Sequence, residues 1–131
     1  MSDQQAVSQL FATYAWAIDA REFDLFADVF SEDASFVVSI AGTVAAGPFE
    51  GRAALTDFIS STTLEQQDQR RHVITNVRLA DENHATAILT LLVVDSGVLT
   101  VKSCGVYRVE LVQAGGTWRM RTMDLALDLG F

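Results

Sequence analysis

The sequence has little of several residue types that define whole classes of proteins. Of its 131 residues only one is cysteine and one is proline, so an intrachain disulfide is impossible and an ordered domain is expected rather than a flexible tail. Nine Lys and Arg residues stand against 17 Asp and Glu, which gives a formal net charge of −8. Nucleic acids and anionic membrane surfaces bind clustered positive charge, so neither is an expected partner.

Long apolar runs and metal-ligand spacings are missing as well. No apolar stretch approaches the ~20 residues of a membrane span, and MSDQQAVSQL lacks the basic and apolar regions of a signal peptide. These absences predict a cytoplasmic protein. The two histidines, His72 and His84, lie in distant segments without a cysteine or histidine nearby, and no glycine-rich phosphate loop is present. We therefore expect no metal and no cofactor.

Half of the residues are hydrophobic, and their spacing changes along the chain from helical to alternating. The patterns predict helices over 4–20, 22–30 and 52–60, a loop over 41–51, and strands over 36–40, 71–79, 85–95, 99–112 and 117–127. Ser2 or Asp3 is available as the first N-cap. The last four strands are separated by short turns, which predicts an antiparallel meander. Helices followed by strands are typical of a single α+β domain, here residues 1–131.

Both faces of the predicted sheet are apolar. In the strand over 85–95, for example, Ile88 and Leu92 alternate with Leu89 and Leu91. The helices of one chain can cover one face only, so a second subunit is expected on the other face, as a homo-oligomer (dimer or trimer). Cys104 lies in one of these strands and is expected to be a buried structural thiol.

Several stretches, in this order, resemble the SnoaL-like branch of the nuclear transport factor 2-like superfamily. They are LFATYAWAIDAREFDLFADVFSEDASF, GPFEGRAALTDFI, RHVITNVRL and GVYRVELVQAGGTWRM. The resemblance implies a cone-shaped α+β barrel, with three helices packed on a strongly curved, mainly antiparallel sheet around an apolar pocket. Ketosteroid isomerase, scytalone dehydratase, bile-acid dehydratase and polyketide cyclases share this fold, as do non-catalytic proteins, so the fold alone does not decide the function.

Asp19 and His72 are the principal candidate residues. From the pattern alone, His72 is a strand histidine with a structural explanation, and Asp19 in DARE fits a capping box as the N-cap of the second helix, with Glu22 at N3. The resemblance implies a different role, because dehydratase members pair an aspartate late in the first helix with a histidine in the strand after the third. Such a carboxylate fixes the imidazole tautomer and stabilises the imidazolium.

Tyr14 is the third candidate catalytic residue. The resemblance implies that it lines the pocket and donates a hydrogen bond to a carbonyl or leaving group, and its alternative is an ordinary core aromatic. Trp16, Trp118 and Phe131 are taken as core or pocket aromatics. The candidate substrate-binding residues of such a cone are Trp16, Phe36, Val38, Ile74, Asn76, Tyr107 and Met123.

Two functions remain open at this point. The first is a cofactor-independent lyase of the dehydratase or elimination type, acting on a hydrophobic oxygenated substrate such as a steroid, terpenoid or polyketide. The second is a non-catalytic ligand-binding or assembly module. The sequence lacks the carboxylates that ketosteroid isomerase needs. Hexachlorocyclohexane dehydrochlorinase is another member of this superfamily, and Met123 stands where that enzyme has an arginine. The resemblance therefore does not identify a residue that activates the leaving group.

Overall fold

The first element of the computed structural model, which describes residues 2–130, is helix α1 (Asp3–Asp19). Ser2 is its N-cap, as predicted. The Ser2 Oγ accepts a hydrogen bond of 3.2 Å from the backbone N–H of Gln5, and Gln5 Oε1 accepts one of 2.9 Å from the backbone N–H of Ser2. This capping box satisfies N–H groups that a helix start leaves without partners. The buried face of α1 consists of Val7, Phe11, Tyr14, Ala17 and Ile18.

The second helix is shorter than predicted, because the first strand begins earlier. Helix α2 spans Phe23–Asp28 and strand β1 spans Phe30–Ile40. The polar residues 31–33 were predicted to separate helix from strand, but they lie inside β1, where its pairing with the last strand shifts register between Phe30 and Ser35. A register shift of this kind lets exposed polar residues lie within a strand whose next residues are buried.

The predicted loop over 41–51 is wrong, because most of it forms strand β2 (Thr43–Glu50). This strand pairs with β1 at one edge of the sheet. An edge strand tolerates Pro48, since the N–H that proline lacks is not needed by a neighbour. Gly47 has a φ of 83° and lies at the irregular part of the pairing, so glycine is favoured there. Glycine and proline therefore concealed the strand.

The remaining elements are helix α3 (Arg52–Glu65) and strands β3 (Gln69–Leu79), β4 (His84–Asp95), β5 (Val98–Ala114) and β6 (Thr117–Leu127). The sheet has the order β2-β1-β6-β5-β4-β3, in which β1 and β6 are parallel and all other pairs are antiparallel. The meander from β3 to β6 and the α+β class are thereby confirmed.

The helices pack on one face of the sheet, with α1 against β3 and β6 and α3 against β1 and β2. The hydrophobic core lies between these layers. The opposite face carries an apolar surface that we call the outer patch, formed by Val73, Ile88, Leu92, Val94, Leu99, Val101 and Val106. Within residues 2–130, no helix combines the length and the apolar character needed to cross a bilayer.

Candidate active site

A cavity of about 70 Å³ lies between α1, α3 and the inner face of the sheet. Most of its wall is apolar and is formed by Ile18, Phe36, Val38, Phe58, Ile59, Leu89, Leu91, Leu125 and Leu127. The polar side chains of the wall are Tyr14, Thr62, Thr63, Gln66, Arg70 and His72. An apolar chamber with a few polar groups is the usual form of a site for a small hydrophobic ligand.

Asp19 and His72 are joined by two hydrogen bonds, although they lie 53 residues apart. Helix α1 packs along β3, which brings its last residue to the strand. Asp19 Oδ1 is 2.7 Å from His72 Nδ1, and Asp19 Oδ2 accepts a hydrogen bond of 2.8 Å from the backbone N–H of His72. The two side chains are 13% and 15% exposed. The contact implied by the family resemblance is therefore present in the structure.

This geometry assigns the proton of the neutral imidazole. An ionised carboxylate can only accept hydrogen bonds, so the proton lies on Nδ1 and Nε2 keeps its lone pair. Because His72 lines the cavity, it can act there as a proton acceptor. The Asp19 carboxylate lies at the negative end of the α1 dipole, which is unfavourable, and its two hydrogen bonds to His72 offset that cost.

Asp19 does not cap α2, so that alternative is wrong. The N-cap of α2 is Glu22, which makes no capping hydrogen bond with its side chain. The Glu22 carboxylate instead accepts a hydrogen bond of 2.6 Å from Trp16 Nε1. Both carboxylate oxygens of Asp19 point to His72 rather than to the start of α2.

Tyr14 lines the cavity from α1 and is 1% exposed. Its hydroxyl oxygen is 3.4 Å from that of Tyr107, a fully buried residue of β5. Burial raises the pKa of both tyrosines well above the ordinary value of 10.0. Tyr14 is therefore protonated at neutral pH and is suited to donate a hydrogen bond, not to act as a base.

The other predicted site residues divide between the cavity wall and other places in the fold. Phe36 and Val38 belong to the wall. Ile74, Tyr107 and Met123 pack in or against the core, and Trp16 is 64% exposed. Asn76 has a φ of 54° at a register shift of β3, which leaves it exposed instead of on the His72 face. Trp118 packs against the core, whereas Phe131 lies outside the described residues.

Cys104 is exposed, so the prediction of a buried thiol is wrong. Its neighbours Ser103 and Gly105 take the buried positions of β5, and strand alternation directs Cys104 outwards. His84 is half-exposed and pairs with Asp81 at 2.9 Å, away from the cavity. Among residues 2–130, no group of three or more His, Cys, Asp or Glu side chains could hold a metal ion.

Sequence reasoning missed Arg70 and the residues that α3 contributes to the wall. Arg70 lies two residues before His72 in β3, so strand alternation could have placed it on the same face. Its guanidinium is held by Asp68, with Nε 3.0 Å from Oδ1 and Nη2 3.4 Å from Oδ2. Thr62 and Thr63 lie beyond residue 60, where the sequence pattern predicts the end of this helix, whereas α3 continues to Glu65.

The chain is similar to several solved structures of the same fold. ActVI-ORFA from Streptomyces coelicolor superposes with a TM-score of 0.80 at 21% identity, covering 97% of this chain and 95% of that one. A protein from Catenulispora acidiphila, solved in complex with S-DNPA, gives 0.79 at 24% identity, with 94% and 91% covered. The β subunit of a putative aromatic-ring-hydroxylating dioxygenase from Novosphingobium aromaticivorans gives 0.77 at 19% identity, with 98% and 90% covered.

Structural similarity at these identities shows the fold, and the sequence match shows the family. No curated protein sequence matches the chain. The model of the SnoaL-like domain matches residues 1–124, which is nearly the whole chain. The protein therefore belongs to the SnoaL-like domain family, which includes polyketide cyclases and dehydratases.

Proposed function

We propose that the protein is a cofactor-independent lyase that eliminates water, or a related leaving group, from a hydrophobic oxygenated molecule such as a steroid, terpenoid or polyketide. The observation that carries this proposal is the hydrogen-bonded Asp19–His72 pair in the wall of an apolar cavity. The C. acidiphila neighbour, solved in complex with S-DNPA, supports the idea that a fold of this type holds a ligand.

In this reaction His72 is the general base. Its Nε2 takes a proton from the carbon next to an activating carbonyl, and the C–H electron pair forms the new double bond. The hydroxide leaves from the adjacent carbon with the C–O electron pair and receives the proton from His72, so the products are an alkene and water. Asp19 holds the ring by Nδ1 and stabilises the imidazolium between the two proton transfers.

Tyr14 supplies a hydrogen bond to the carbonyl or to the departing hydroxide. Because burial raises its pKa, its hydroxyl keeps its proton while His72 exchanges one. A donor placed where negative charge develops stabilises the transition state more than the ground state. Tyr14 and His72 lie in the same cavity wall, which is the arrangement that a base and a donor acting on one small molecule require.

The size of the cavity implies that it opens when substrate binds. Its volume of about 70 Å³ is below the ~300 Å³ at which ligand pockets usually begin. Phe58 and Ile59 of α3 are wall residues and only partly buried. Movement of this part of α3 away from the sheet would enlarge the chamber without disturbing the Asp19–His72 pair.

A turnover assay tests the proposal. β-Hydroxyketones of polyketide, terpenoid and steroid type are incubated with the protein, and dehydration is followed by the ultraviolet absorbance of the conjugated enone. His72→Ala should lower the rate by roughly 10²–10⁴-fold, the range that a general base supplies. His84→Ala is the matched control and should keep full activity, because that histidine lies outside the cavity. Equal rates in His72→Ala and the unchanged protein would refute the role of His72.

A non-catalytic ligand-binding or assembly module is the second candidate. It is favoured by the similarity of the fold to the dioxygenase β subunit and by the absence, in the sequence, of the leaving-group residues found in related lyases. This candidate predicts that hydrophobic ligands bind but that none is turned over, and that His72→Ala alters neither result.

We also propose that a second copy of the chain covers the outer patch. Val73, Val94, Leu99 and Val101 are between 37% and 64% exposed in the single chain, and all lie on the face that the helices leave open. A continuous apolar patch of this kind marks an interaction surface. The patch is one face of a regular sheet, which can pair with the same face of an identical chain about a two-fold axis.

A further inference from the structure

The chain has two tyrosines, and they meet in the core beside the cavity. The ring of Tyr14 meets the ring of Tyr107 edge to face, with centroids 5.6 Å apart at an interplanar angle of 83°. Their hydroxyl oxygens are 3.4 Å apart. Both side chains are fully or almost fully buried, but only Tyr14 belongs to the cavity wall.

Counting protons shows that this pair needs a third partner. Each phenol carries one proton, and only one of the two can lie between the oxygens. Within residues 2–130, no other side chain or backbone group forms a hydrogen bond with either hydroxyl. The second proton therefore has no acceptor in the described protein, and a buried donor without a partner destabilises the fold.

The cavity decides which hydroxyl keeps the unpaired proton. If Tyr14 donated to Tyr107, the remaining proton would lie on Tyr107, which is sealed in the core away from the cavity. If Tyr107 donates to Tyr14, the remaining proton lies on Tyr14, where a molecule in the cavity can accept it. The second arrangement avoids the desolvation cost whenever the cavity holds an oxygen acceptor.

We propose that Tyr107 is a positioning residue whose hydroxyl donates to Tyr14 and directs the Tyr14 proton into the cavity, towards a carbonyl or hydroxyl oxygen of the ligand. This inference rests on the proposed function for placing the ligand in the cavity, but it does not require turnover. It also specifies the ligand class further: the ligand is a hydrophobic molecule whose acceptor oxygen lies at the end of the cavity that Tyr14 lines.

The length of the contact fits this role. At 3.4 Å it exceeds the usual 2.5–3.0 Å of a hydrogen bond between hydroxyls. Hydrogen bonds in a chain polarise one another, so a ligand that accepts from Tyr14 strengthens the bond that Tyr14 accepts from Tyr107. We therefore expect the two hydroxyl oxygens to move closer when an acceptor is bound. An ordinary core contact between two aromatic rings would not respond to the ligand's oxygen.

The proposal is tested by NMR with cyclohexanone that carries ¹³C at its carbonyl carbon. The chemical shift of this carbon is measured at increasing protein concentration and extrapolated to saturation of the ligand. The bound carbonyl resonance should move downfield in the unchanged protein. Tyr14→Phe should abolish this shift and weaken binding roughly 2- to 10-fold. Tyr107→Phe should keep the shift but reduce it by roughly 10–30%, because one bond of the chain is lost. Methylenecyclohexane, which has no acceptor oxygen, should bind all three proteins equally.

Two results would overturn the inference: an unreduced carbonyl shift in Tyr107→Phe, or equal binding of the ketone by Tyr14→Phe and the unchanged protein. If Tyr107→Phe does not fold, a crystal structure of the unchanged protein with cyclohexanone decides. The ketone oxygen should lie within about 3 Å of Tyr14 Oη, and the two tyrosine oxygens should be closer than 3.4 Å. Any other position of the ketone oxygen contradicts the proposal.

His72→Ala should leave the carbonyl shift intact, so failure of catalysis and failure of this inference give different results.

Discussion

At the scale of single residues, the proposed reaction depends on the contact between Asp19 and His72. Asp19 uses one oxygen to hold Nδ1 and the other to hold the backbone N–H of the same residue. The second bond fixes the carboxylate relative to the strand as well as to the ring. The imidazole is thereby held in one tautomer, with Nε2 as the basic nitrogen.

Asp19→Asn should remove activity while the fold survives. Asparagine keeps the shape, and its oxygen can still accept from the backbone N–H of His72. Its NH₂ group then faces Nδ1 and forces that nitrogen to be the acceptor, so Nε2 carries the proton and cannot act as a base. We expect a fall in turnover of at least about 100-fold with a melting temperature close to the original.

Asp81→Asn is the matched control for this change. Asp81 pairs with the other histidine at 2.9 Å, but both are exposed and lie away from the cavity. Its turnover should equal that of the unchanged protein. Full activity in Asp19→Asn, measured beside this control and a thermal melt, would end the hypothesis of a catalytic dyad.

The buried tyrosines predict a loss of stability at alkaline pH. The folded state keeps both phenols neutral, because burial raises the pKa of each, whereas the unfolded chain ionises them near pH 10.0. Folded protein therefore binds more protons than unfolded protein above this pH. The free energy of unfolding should fall there by about 1.4 kcal/mol per pH unit for each tyrosine, and by about 2.7 kcal/mol for both.

Urea unfolding between pH 9 and 11.5 measures this slope. The slope of Tyr107→Phe should be smaller by about 1.4 kcal/mol per pH unit, since one ionising phenol has been removed. The comparison is made within the same pH range, so other groups contribute equally to both proteins. A slope that is the same in Tyr107→Phe and in the unchanged protein would contradict the prediction.

At the scale of secondary structure, α3 differs from α1 in how firmly it is packed. Five residues of α1 are buried, but α3 buries only Leu55 and Thr63 among its 14 residues. A helix with few buried contacts opens at a lower free energy than one with many. This suits α3 to the enlargement of the cavity that the proposed reaction requires.

Amide hydrogen exchange should show this difference. Amides of α3 from Phe58 to its end should exchange faster than those in the middle of α1, and a ligand in the cavity should slow them. The middle of α1 is the internal reference, since it packs against β3 and β6 and should change little. Equal protection of the two helices would rule out α3 as the part that opens.

At the scale of the whole molecule, the two faces of the sheet have different environments. The inner face is covered by the helices and carries the cavity, and nothing within residues 2–130 covers the outer patch. Obligate homodimer interfaces commonly bury ~2,000 Å² or more of accessible surface in total. An assembly on this face would leave α3 and the cavity on the other side of the sheet unobstructed.

Val101→Asp should weaken the assembly, because it places a charge in the outer patch, where Val101 is 64% exposed in the single chain. Val44→Asp is the control: Val44 is 59% exposed, but it lies in β2, away from the patch. Light scattering should give a dimer for the unchanged protein and for Val44→Asp, with a smaller mass for Val101→Asp. A 14.3 kDa monomer at micromolar concentration in the unchanged protein would contradict the proposal.

The sequence by itself determined the α+β class, the order of the helices, the meander and the start of α1. Each of these depends on local periodicity, capping or turn residues, which neighbouring amino acids encode. The resemblance to the family added the pairing of Asp19 with His72. Periodicity alone could not supply that pairing, because it reports which face a residue occupies and not what lies opposite it.

Only the tertiary structure decided the features that depend on contacts between distant elements. Strand β2 forms because β1 offers it an edge, although glycine and proline conceal it in the sequence. The register shift in β3 turns Asn76 away from the face that strict alternation assigns to it. The pairing of Tyr14 with Tyr107, 93 residues apart, and the volume of the cavity depend on how α1 and α3 pack on the sheet. Packing distances of this kind are set by many side chains at once, and no short stretch of sequence encodes them.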